Sequence, residues 1–474
     1  MIQTNTFAPP RLALYVIVPL LLGACVDESV VFENRPIFSE PDPAALGFVG
    51  YADRDAQRLV CGNCHVGRQG EWSETGHAAA WEGLQASGGA EAFCEGCHTV
   101  NQRGNVMSEP AGFDITGDVR YHDVQCESCH GPGLNHIQIP DISQPQAPLS
   151  VGTDLPVGCG ECHQGTHHPF VNEWEQSGHA KVGFQADRVD CTSCHSGEGA
   201  LAAWGVKTSY LEEDSVGPGK DHLAITCGIC HDPHGSEQDG QLRFPVDSRN
   251  EETNLCMKCH DRRGTPDGTS SGPHAPEAAV VLGYGGWWPP SLEFPGDTIS
   301  ATHGSEANPT LCAACHVNAF QVTDEETGAF VFNSTGHLFD AIPCLNAEGV
   351  PVPGDCDNEQ RTFQSCTASG CHGSEDSARR AKDRGDERIG LLADDLAVLL
   401  AQVPDDEFDP DDDRYTIAEG ATFNLELATD FPGSATHNPS LMEALLAASI
   451  KDVEEEYGVS LPVAADLDLI FGTL

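Results

Sequence analysis

The sequence predicts a fold of irregular coil and short α-helices, with little β-structure, organised around tightly bound groups and closed by a helical C-terminal region. Only 7% of its 474 residues are aromatic, so side chains alone are a poor source of a large core. Glycine and proline are abundant, at 50 and 31 residues, which favours turns over long helices or strands. The 21 cysteines and 21 histidines are a supply of ligands rather than of packing groups.

The N-terminal residues predict export. One basic side chain, Arg11, precedes a largely apolar run at residues 12–24, which is too short to span a bilayer and is typical of a signal peptide. Gly23 and Ala24 stand directly before Cys25, as in bacterial lipoproteins that are cleaved and acylated at such a cysteine. The alternative is cleavage elsewhere, with Cys25 a leftover thiol. After a signal peptide at 1–24, the acidic, proline-containing stretch 25–50 is expected to be a flexible tether.

The charge balance excludes one class of partner. The formal net charge is −49, from 24 basic and 73 acidic side chains, so binding to nucleic acid is disfavoured. Partners with basic faces are favoured. The same surplus of acid also keeps an exported protein in solution, and the sequence leaves both explanations open.

The pattern Cys-x-x-Cys-His occurs eight times, and a ninth copy has four residues between its cysteines. The copies are numbered here as motifs 1 to 9 in chain order. Their cysteines are Cys61 and Cys64, Cys94 and Cys97, Cys126 and Cys129, Cys159 and Cys162, Cys191 and Cys194, Cys227 and Cys230, Cys256 and Cys259, Cys312 and Cys315, and Cys366 and Cys371. Their histidines are His65, His98, His130, His163, His195, His231, His260, His316 and His372.

This order of residues suits covalent attachment of haem. Two thiols so spaced reach the two vinyl groups of one porphyrin, and the following imidazole reaches the iron as an axial ligand. Zinc held by pairs of such thiols is the main alternative, but it does not account for a histidine that follows every time. For motif 9 a structural disulfide is the alternative. Cys344 and Cys356 belong to no motif and are predicted to form a disulfide.

A second recurrence supplies candidates for the opposite axial ligand. The strings WSETGH, WEQSGH and FNSTGH, which end at His77, His179 and His337, each place an aromatic residue five positions before a histidine. We expect these histidines to bind iron and the aromatic side chains to pack on a porphyrin. The further candidates are His122, His136, His222, His274, His303 and His437.

Local context supports several of these further candidates. His122 and His222 each stand a few residues before a motif, and His437 precedes Asn438 and Pro439, which are suited to begin a helix. The alternative for His437 is a surface histidine. His234, His167 and His168 are weaker candidates, and the sequence leaves open whether they bind iron or support other ligands.

At these residues the sequence resembles the multihaem c-type cytochrome superfamily. The resemblance lies in VQCESCHGPGLNH at 124–136, in the repeats that end at His77 and His179, and in the HNP string at His437, and it covers roughly residues 55–375. It implies about nine covalent haem c groups with their iron, in close stacked or perpendicular pairs that form a continuous wire. Nitrite reductases of this superfamily carry a Cys-x-x-Cys-Lys site, which is absent here.

The predicted organisation is three haem modules and a haem-free helical end. The modules are 51–145 with motifs 1–3, 146–275 with motifs 4–7 and 276–380 with motifs 8 and 9, followed by 381–474. The expected function is electron transfer by haem-to-haem hopping, with no catalytic residue assigned. The alternatives are an oxidoreductase with one open haem acting on a small nitrogen or sulfur compound, and a structural subunit of an extracellular haem filament or porin conduit.

The expected location follows from the export signal and Cys25. We expect a lipid-anchored protein at the outer membrane, on its periplasmic side or at the cell surface, or otherwise a periplasmic protein. Its expected partners are redox proteins with basic faces, the membrane through the lipid, and an outer-membrane porin or further copies of the chain.

Overall fold

The computed structural model describes residues 39–145, 158–206, 221–267, 271–324, 326–368, 370–409, 414–431 and 433–462. The predicted signal peptide, Cys25 and most of the predicted tether lie outside these residues. The predicted fold class is confirmed, because the described chain consists of short helices and irregular segments with little strand.

Most helices in the first three quarters of the chain are only one or two turns long. They are α1 Val66–Ser73, α2 Ala80–Ala86, α3 Phe113–Thr116, α4 Cys126–His130, α5 Leu134–Gln138, α6 Phe170–Trp174, α7 Thr192–His195, α8 Gly197–Ala203, α9 Cys227–Cys230, α10 Glu277–Leu282, α11 Cys312–His316 and α12 Gln364–Ala368. The C-terminal helices are α13 Glu375–Leu400, α14 Ile417–Thr429, α15 Ser434–His437 and α16 Pro439–Tyr457. In the described part of the chain, no helix is long and apolar enough to cross a membrane.

The strands form three separate antiparallel ribbons of two strands each in the described residues. They are β1 Tyr51–Asp53 with β2 Arg58–Leu59, β3 Phe320–Thr323 with β4 Phe330–Ser334, and β5 Cys344–Leu345 with β6 Pro351–Val352. A disulfide joins Cys344 and Cys356 at the third ribbon. No ribbon is large enough to supply a core of its own.

Backbone constraints set the ends of the short helices. Helix α10 ends where Gly283 adopts a φ of 91°, in the left-handed region that favours glycine. A Cβ atom at this position would lie 2.4 Å from the carbonyl oxygen of Ile299. The chain therefore turns back sharply after α10, and Ile299 donates its N–H to the Gly283 carbonyl.

The C-terminal helices α13, α14 and α16 enclose the largest apolar cluster of the described chain. Their buried side chains include Leu392, Leu396, Leu399, Ala421, Leu427, Leu441, Met442, Leu445, Leu446 and Val453. Each helix begins at a side-chain cap, with Ser374, Thr416 and Asn438 accepting backbone N–H bonds. This arrangement is the predicted helical C-terminal region.

Around the motifs the apolar clusters are much smaller. One comprises Tyr51, Leu59, Trp72 and Ala78, and another comprises Ala200, Leu201 and Ile229. Such clusters cannot by themselves hold a chain of this size together. The described residues nevertheless all belong to one compact unit, and the predicted module boundaries within it stay predictions.

Leu445 provides a test of the C-terminal core. It is fully buried on α16, so Leu445→Ala should destabilise the protein by about 2–5 kcal/mol through lost burial and the cavity left behind. The matched control is Leu391→Ala on α13, because the Leu391 side chain is 48% exposed. Thermal unfolding followed by far-ultraviolet circular dichroism should show a lower midpoint for the first variant only. Equal midpoints for both would contradict the packing described.

Candidate haem-binding sites

Motifs 1 to 8 each fold into about one turn of helix. In motifs 1, 4, 5, 6 and 7 the histidine N–H donates to the carbonyl of the first motif cysteine, at 2.9 to 3.1 Å. Motifs 3 and 8 form α4 and α11. The turn brings both thiols and the imidazole to one side of the backbone, and the motif cysteines form no disulfide. Every motif thus presents the donor groups for covalent attachment of a porphyrin and for one iron ligand.

Eight motif histidines face a second histidine at almost the same separation. The ring centres are 6.1 to 6.4 Å apart in every pair. The pairs are His65 with His136, His163 with His77, His130 with His234, His260 with His179, His195 with His274, His231 with His337, His372 with His303, and His316 with His437.

This separation suits one metal ion between two imidazoles. With each ligating nitrogen about 2 Å from the metal, the two ring centres lie about 6 Å apart. Two aromatic rings in direct contact would be under no such common constraint, since their centroids range from about 4.5 to 7 Å. The donor set and its spacing therefore fit a haem iron with two axial histidines.

The ninth motif histidine, His98, has a different neighbour. His168 lies close enough to His98 to interact with it electrostatically. The His98 Nδ1 atom lies 2.8 Å from the carbonyl of Ala80, which leaves Nε2 as its ligating atom. His167, next in sequence to His168, instead stacks on Phe330 with ring centres 4.5 Å apart. Of the two adjacent histidines, His168 is thus the one placed beside a motif.

Other paired histidines use the same means of orientation. His231 contacts the carbonyl of Gly240, and His316 that of Phe339, through Nδ1 at 2.5 and 2.9 Å. The Nδ1 atom of His303 lies 2.7 Å from the carbonyl of Thr436. A backbone acceptor at Nδ1 fixes the proton there and directs the Nε2 lone pair towards the partner ring.

Burial keeps several paired imidazoles neutral. Loss of hydration lowers the pKa of His163, His179 and His437 to about 4. At neutral pH these rings are therefore unprotonated, which is the form that binds a metal.

Two predicted ligands, His122 and His222, have neighbours other than a motif histidine in the described residues, and their role as iron ligands stays a prediction. His122 stacks on Trp81 at 3.8 Å and meets the edge of Phe113 at 5.3 Å, so it belongs to an aromatic cluster. His222 is bonded at Nδ1 to Glu198 and at Nε2 to Asp187, 3.1 Å away. Glu198 in particular raises the pKa of His222, and both ring nitrogens are already engaged.

His234 and His168, for which the sequence leaves iron binding and a supporting role open, both lie beside a motif histidine. His234 follows motif 6 by an Asp-Pro turn, and the carboxylate of Asp232 accepts its backbone N–H at 3.1 Å. That tight turn beside a motif is a signal that could have identified it. No local signal separates His168 from His167.

The repeat that ends at His77 and His179 has a structural role besides supplying ligands. The indole N–H of Trp72 donates to the carbonyl of Val124 at 2.9 Å, and that of Trp174 donates to Ile225 at 2.8 Å. Each acceptor residue stands two positions before a motif. The aromatic residues expected to pack on porphyrin thus hold the start of another motif.

Glu173 fixes the third copy of that repeat. Its side chain is 2% exposed and accepts bonds from Ser334, Thr335 and the N–H of His337 at 2.7 to 3.2 Å. Four such donors offset the cost of burying a carboxylate. The loop that presents His337 to motif 6 is therefore anchored on α6.

Asn438 holds His437 in the same way. It is fully buried, and its amide donates to the carbonyls of Val280 and Ile299 at 3.0 and 2.7 Å. Its oxygen accepts the N–H of Leu441 and caps α16. The predicted helix entrance at His437 is present and connects the C-terminal core to motif 8.

Comparisons with known proteins agree with this chemistry. A family model described as cytochrome c554 and c-prime matches residues 60–131, and one described as a doubled CXXCH motif matches 222–265. The chain is a multihaem c-type cytochrome. Its cofactor is covalently bound haem c with its iron.

The cytochrome is similar to curated proteins over part of its length. It is 22% identical to the C-type polyheme cytochrome OmcC of Geobacter sulfurreducens over 223 residues, which are 35% of this chain and 29% of that protein. It is 33% identical to cytochrome c-554 of Nitrosomonas europaea over 96 residues, 16% of this chain and 38% of the relative. The chain thus spans under two-fifths of either relative.

A solved structure extends the likeness to most of the fold. The outer cell wall cytochrome OcwA aligns with a TM-score of 0.50 and 19% identity, covering 78% of each chain. This likeness concerns the fold of the cytochrome.

The adjacent residues His167 and His168 allow a sharp test of the ligand assignment. In the holo-protein, His168→Ala should convert one low-spin ferric haem to high-spin, because its iron loses an axial nitrogen. The matched variant His167→Ala should leave all centres low-spin. Low-temperature EPR of the oxidised protein measures both. A high-spin signal in the His167 variant alone would reverse the assignment.

Proposed function

We propose that this cytochrome is an exported electron carrier that holds a haem at each of its nine motifs. The observation that carries the proposal is the supply of a second imidazole to every motif histidine: eight ring pairs at 6.1 to 6.4 Å, and His168 beside His98. Haem iron with two histidine ligands exchanges an electron with little rearrangement and without binding substrate.

The protein's own residues would set the conditions for that exchange. The His316 imidazole, oriented by the Phe339 carbonyl, and His437, held beside the anchored Asn438, would keep the ligand geometry fixed in both oxidation states. The carboxylates near His234 and His260, from Asp232 at 3.4 Å and Glu277 at 3.6 Å, would favour the oxidised form at those positions. Different surroundings thus give different centres different potentials.

The enzyme alternative requires one iron with an open axial position. The pairing of histidines weighs against it, since eight motifs each have a second imidazole at ligand distance and the ninth has one nearby. A structural role in a filament or a porin conduit concerns how copies or partners assemble. The net charge of −49 favours redox partners with basic faces in either setting.

The proposed location is outside the cytoplasm, with a lipid anchor at Cys25 on the outer membrane or otherwise in the periplasm. The signal-like segment 12–24 and the small residues before Cys25 support it. The protein of similar fold is an outer cell wall cytochrome, which is consistent with an exported fold.

Haem content and spin state test the proposed function together. The purified protein should contain about nine haems per chain by pyridine haemochrome, and its oxidised form should give only low-spin ferric signals, because each iron has two nitrogen ligands. Low-temperature EPR provides the second measurement. A persistent high-spin signal from one haem in the unmodified protein would favour the oxidoreductase instead.

The lipid anchor is tested by removing the thiol that would carry it. Cys25→Ser should shift the cytochrome from the membrane fraction to the soluble exported fraction, since acylation needs that sulfur. A matched control is Cys344→Ser together with Cys356→Ser, which removes the two cysteines of the disulfide and leaves Cys25 intact. Haem-stained gels of the fractions provide the measurement. Unchanged membrane retention of the Cys25 variant would contradict the anchor.

A further inference from the structure

Contacts between motifs follow a pattern with three positions. The motifs fall into three classes according to which other motifs their cysteines contact. Motifs 1, 4, 7 and 9 form the first class, motifs 2 and 5 the second, and motifs 3, 6 and 8 the third. These are called here the first, second and third positions, and a unit runs from one first-position motif to the next. The chain then has unit A with motifs 1–3, unit B with motifs 4–6, unit C with motifs 7 and 8, and unit D with motif 9.

The first and third positions of a unit touch through the first cysteine of each motif. The thiols are within hydrogen-bond contact in all three cases, at Cys61 and Cys126, at Cys159 and Cys227, and at Cys256 and Cys312. Packing supports two of them: Cys126 lies against the cluster of Tyr51 and Trp72, and Cys312 lies against the cluster that contains Met257. Motif 8 therefore occupies a third position, although it is the second motif of its unit.

The third position also touches the first position of the following unit. Here the second cysteine of one motif interacts electrostatically with the first cysteine of the next, at Cys129 and Cys159, at Cys230 and Cys256, and at Cys315 and Cys366. Phe339 gives independent evidence for the middle case, with its ring 5.5 Å from His337 and 4.5 Å from His179. First and third positions therefore alternate along one continuous row.

The second position touches the first position of the following unit through its thiols. The second cysteines of the two motifs are in hydrogen-bond contact, at Cys97 and Cys162 and at Cys194 and Cys259. Hydrogen bonds beside the motifs join the same two pairs. The Glu161 carboxylate accepts the N–H of Gly104, and the backbone carbonyl of Asp190 accepts a bond from the Arg262 guanidinium at 3.1 Å. Motifs 2 and 5 therefore lie beside the row rather than in it.

The histidine pairs also connect each unit to the next. First-position motifs take their partner from the preceding unit, as in His163 with His77, His260 with His179, and His372 with His303. Second- and third-position motifs take theirs from the following unit, as in His195 with His274, His130 with His234, His231 with His337, and His316 with His437. Motif 1 has no preceding unit, and its partner His136 comes from its own.

Backbone contacts repeat as well. Val124 donates to the carbonyl of His77 in unit A, and Ile225 donates to the carbonyl of His179 in unit B, both at 3.1 Å. These same two residues accept the indole bonds of Trp72 and Trp174. The resemblance between units A and B thus includes main-chain geometry as well as cysteine and histidine spacing.

We infer that the cytochrome is a tandem array of a three-motif unit, in which motifs 1, 3, 4, 6, 7, 8 and 9 form a row and motifs 2 and 5 are side branches on motifs 4 and 7. Unit C lacks its second position, and unit D keeps only its first. The inference rests on the proposed occupancy of the motifs by haem. In this arrangement motifs 1 and 9 are the two ends of the row. Motifs 2 and 5 are two further places at which an electron can enter the row without interrupting it.

Iron anomalous diffraction from crystals of the holo-protein tests this order. We expect nine iron peaks, seven in a row and two to the side, beside the third and fifth members. Each peak is assigned by tracing the electron density to its motif. A map in which motif 2 or motif 5 lies within the row, or in which motif 8 is a side branch, would overturn the inference.

Two matched variants provide a second assignment. Cys94→Ala together with Cys97→Ala should remove the side peak beside the third member and leave the row complete. Cys126→Ala together with Cys129→Ala should remove the second peak of the row and leave both side peaks. Loss of a row peak in the first variant would contradict the order. Fewer than nine peaks in the unmodified protein would contradict the haem count of the proposed function, while the neighbours of the remaining peaks would still decide the order.

Discussion

The fold depends on pairs of imidazoles contributed by segments that are far apart in sequence. His65 and His136 are among the nearest such partners, and His316 and His437 among the most distant. Closing such long loops has an entropic cost that small apolar clusters could not offset. In the proposed haem-loaded protein, an iron held by both rings, on a porphyrin attached through two thioethers, would link each pair of segments. Linkage through such pairs is consistent with the scarcity of aromatic side chains and with the lack of a large sheet in the described residues.

The C-terminal helices are the exception. Leu396, Leu441 and Leu445 pack there as in an ordinary helical domain, without help from a bound group. Hydrogen bonds made by Asn438 and by the Thr436 carbonyl then fix His437 and His303 relative to this core. The rings of these two histidines face the histidines of motifs 8 and 9. A conventional core of helices thus supports the part of the array that contains motifs 8 and 9.

Local chemistry was predictable from the sequence, and long-range pairing was not. The turn at Cys126–His130 follows from the motif itself, and Asn438 and Pro439 predicted the start of α16 correctly. The structure does not place His122 or His222 opposite a motif histidine, because closeness to a motif in sequence does not decide which ring faces that motif. Their neighbours Trp81 and Glu198 belong to other segments, which only the folded chain brings together.

The place of His437 near the end of the chain also bears on how the molecule matures. Its ring faces the histidine of motif 8 in the folded chain, where the adjacent Asn438 caps α16 and donates to the carbonyls of Val280 and Ile299. A polypeptide that stops short of this residue would leave the motif 8 iron with a single protein nitrogen. In the proposed haem-loaded protein, an unfinished molecule would therefore differ from a finished one in the spin state and reactivity of one centre.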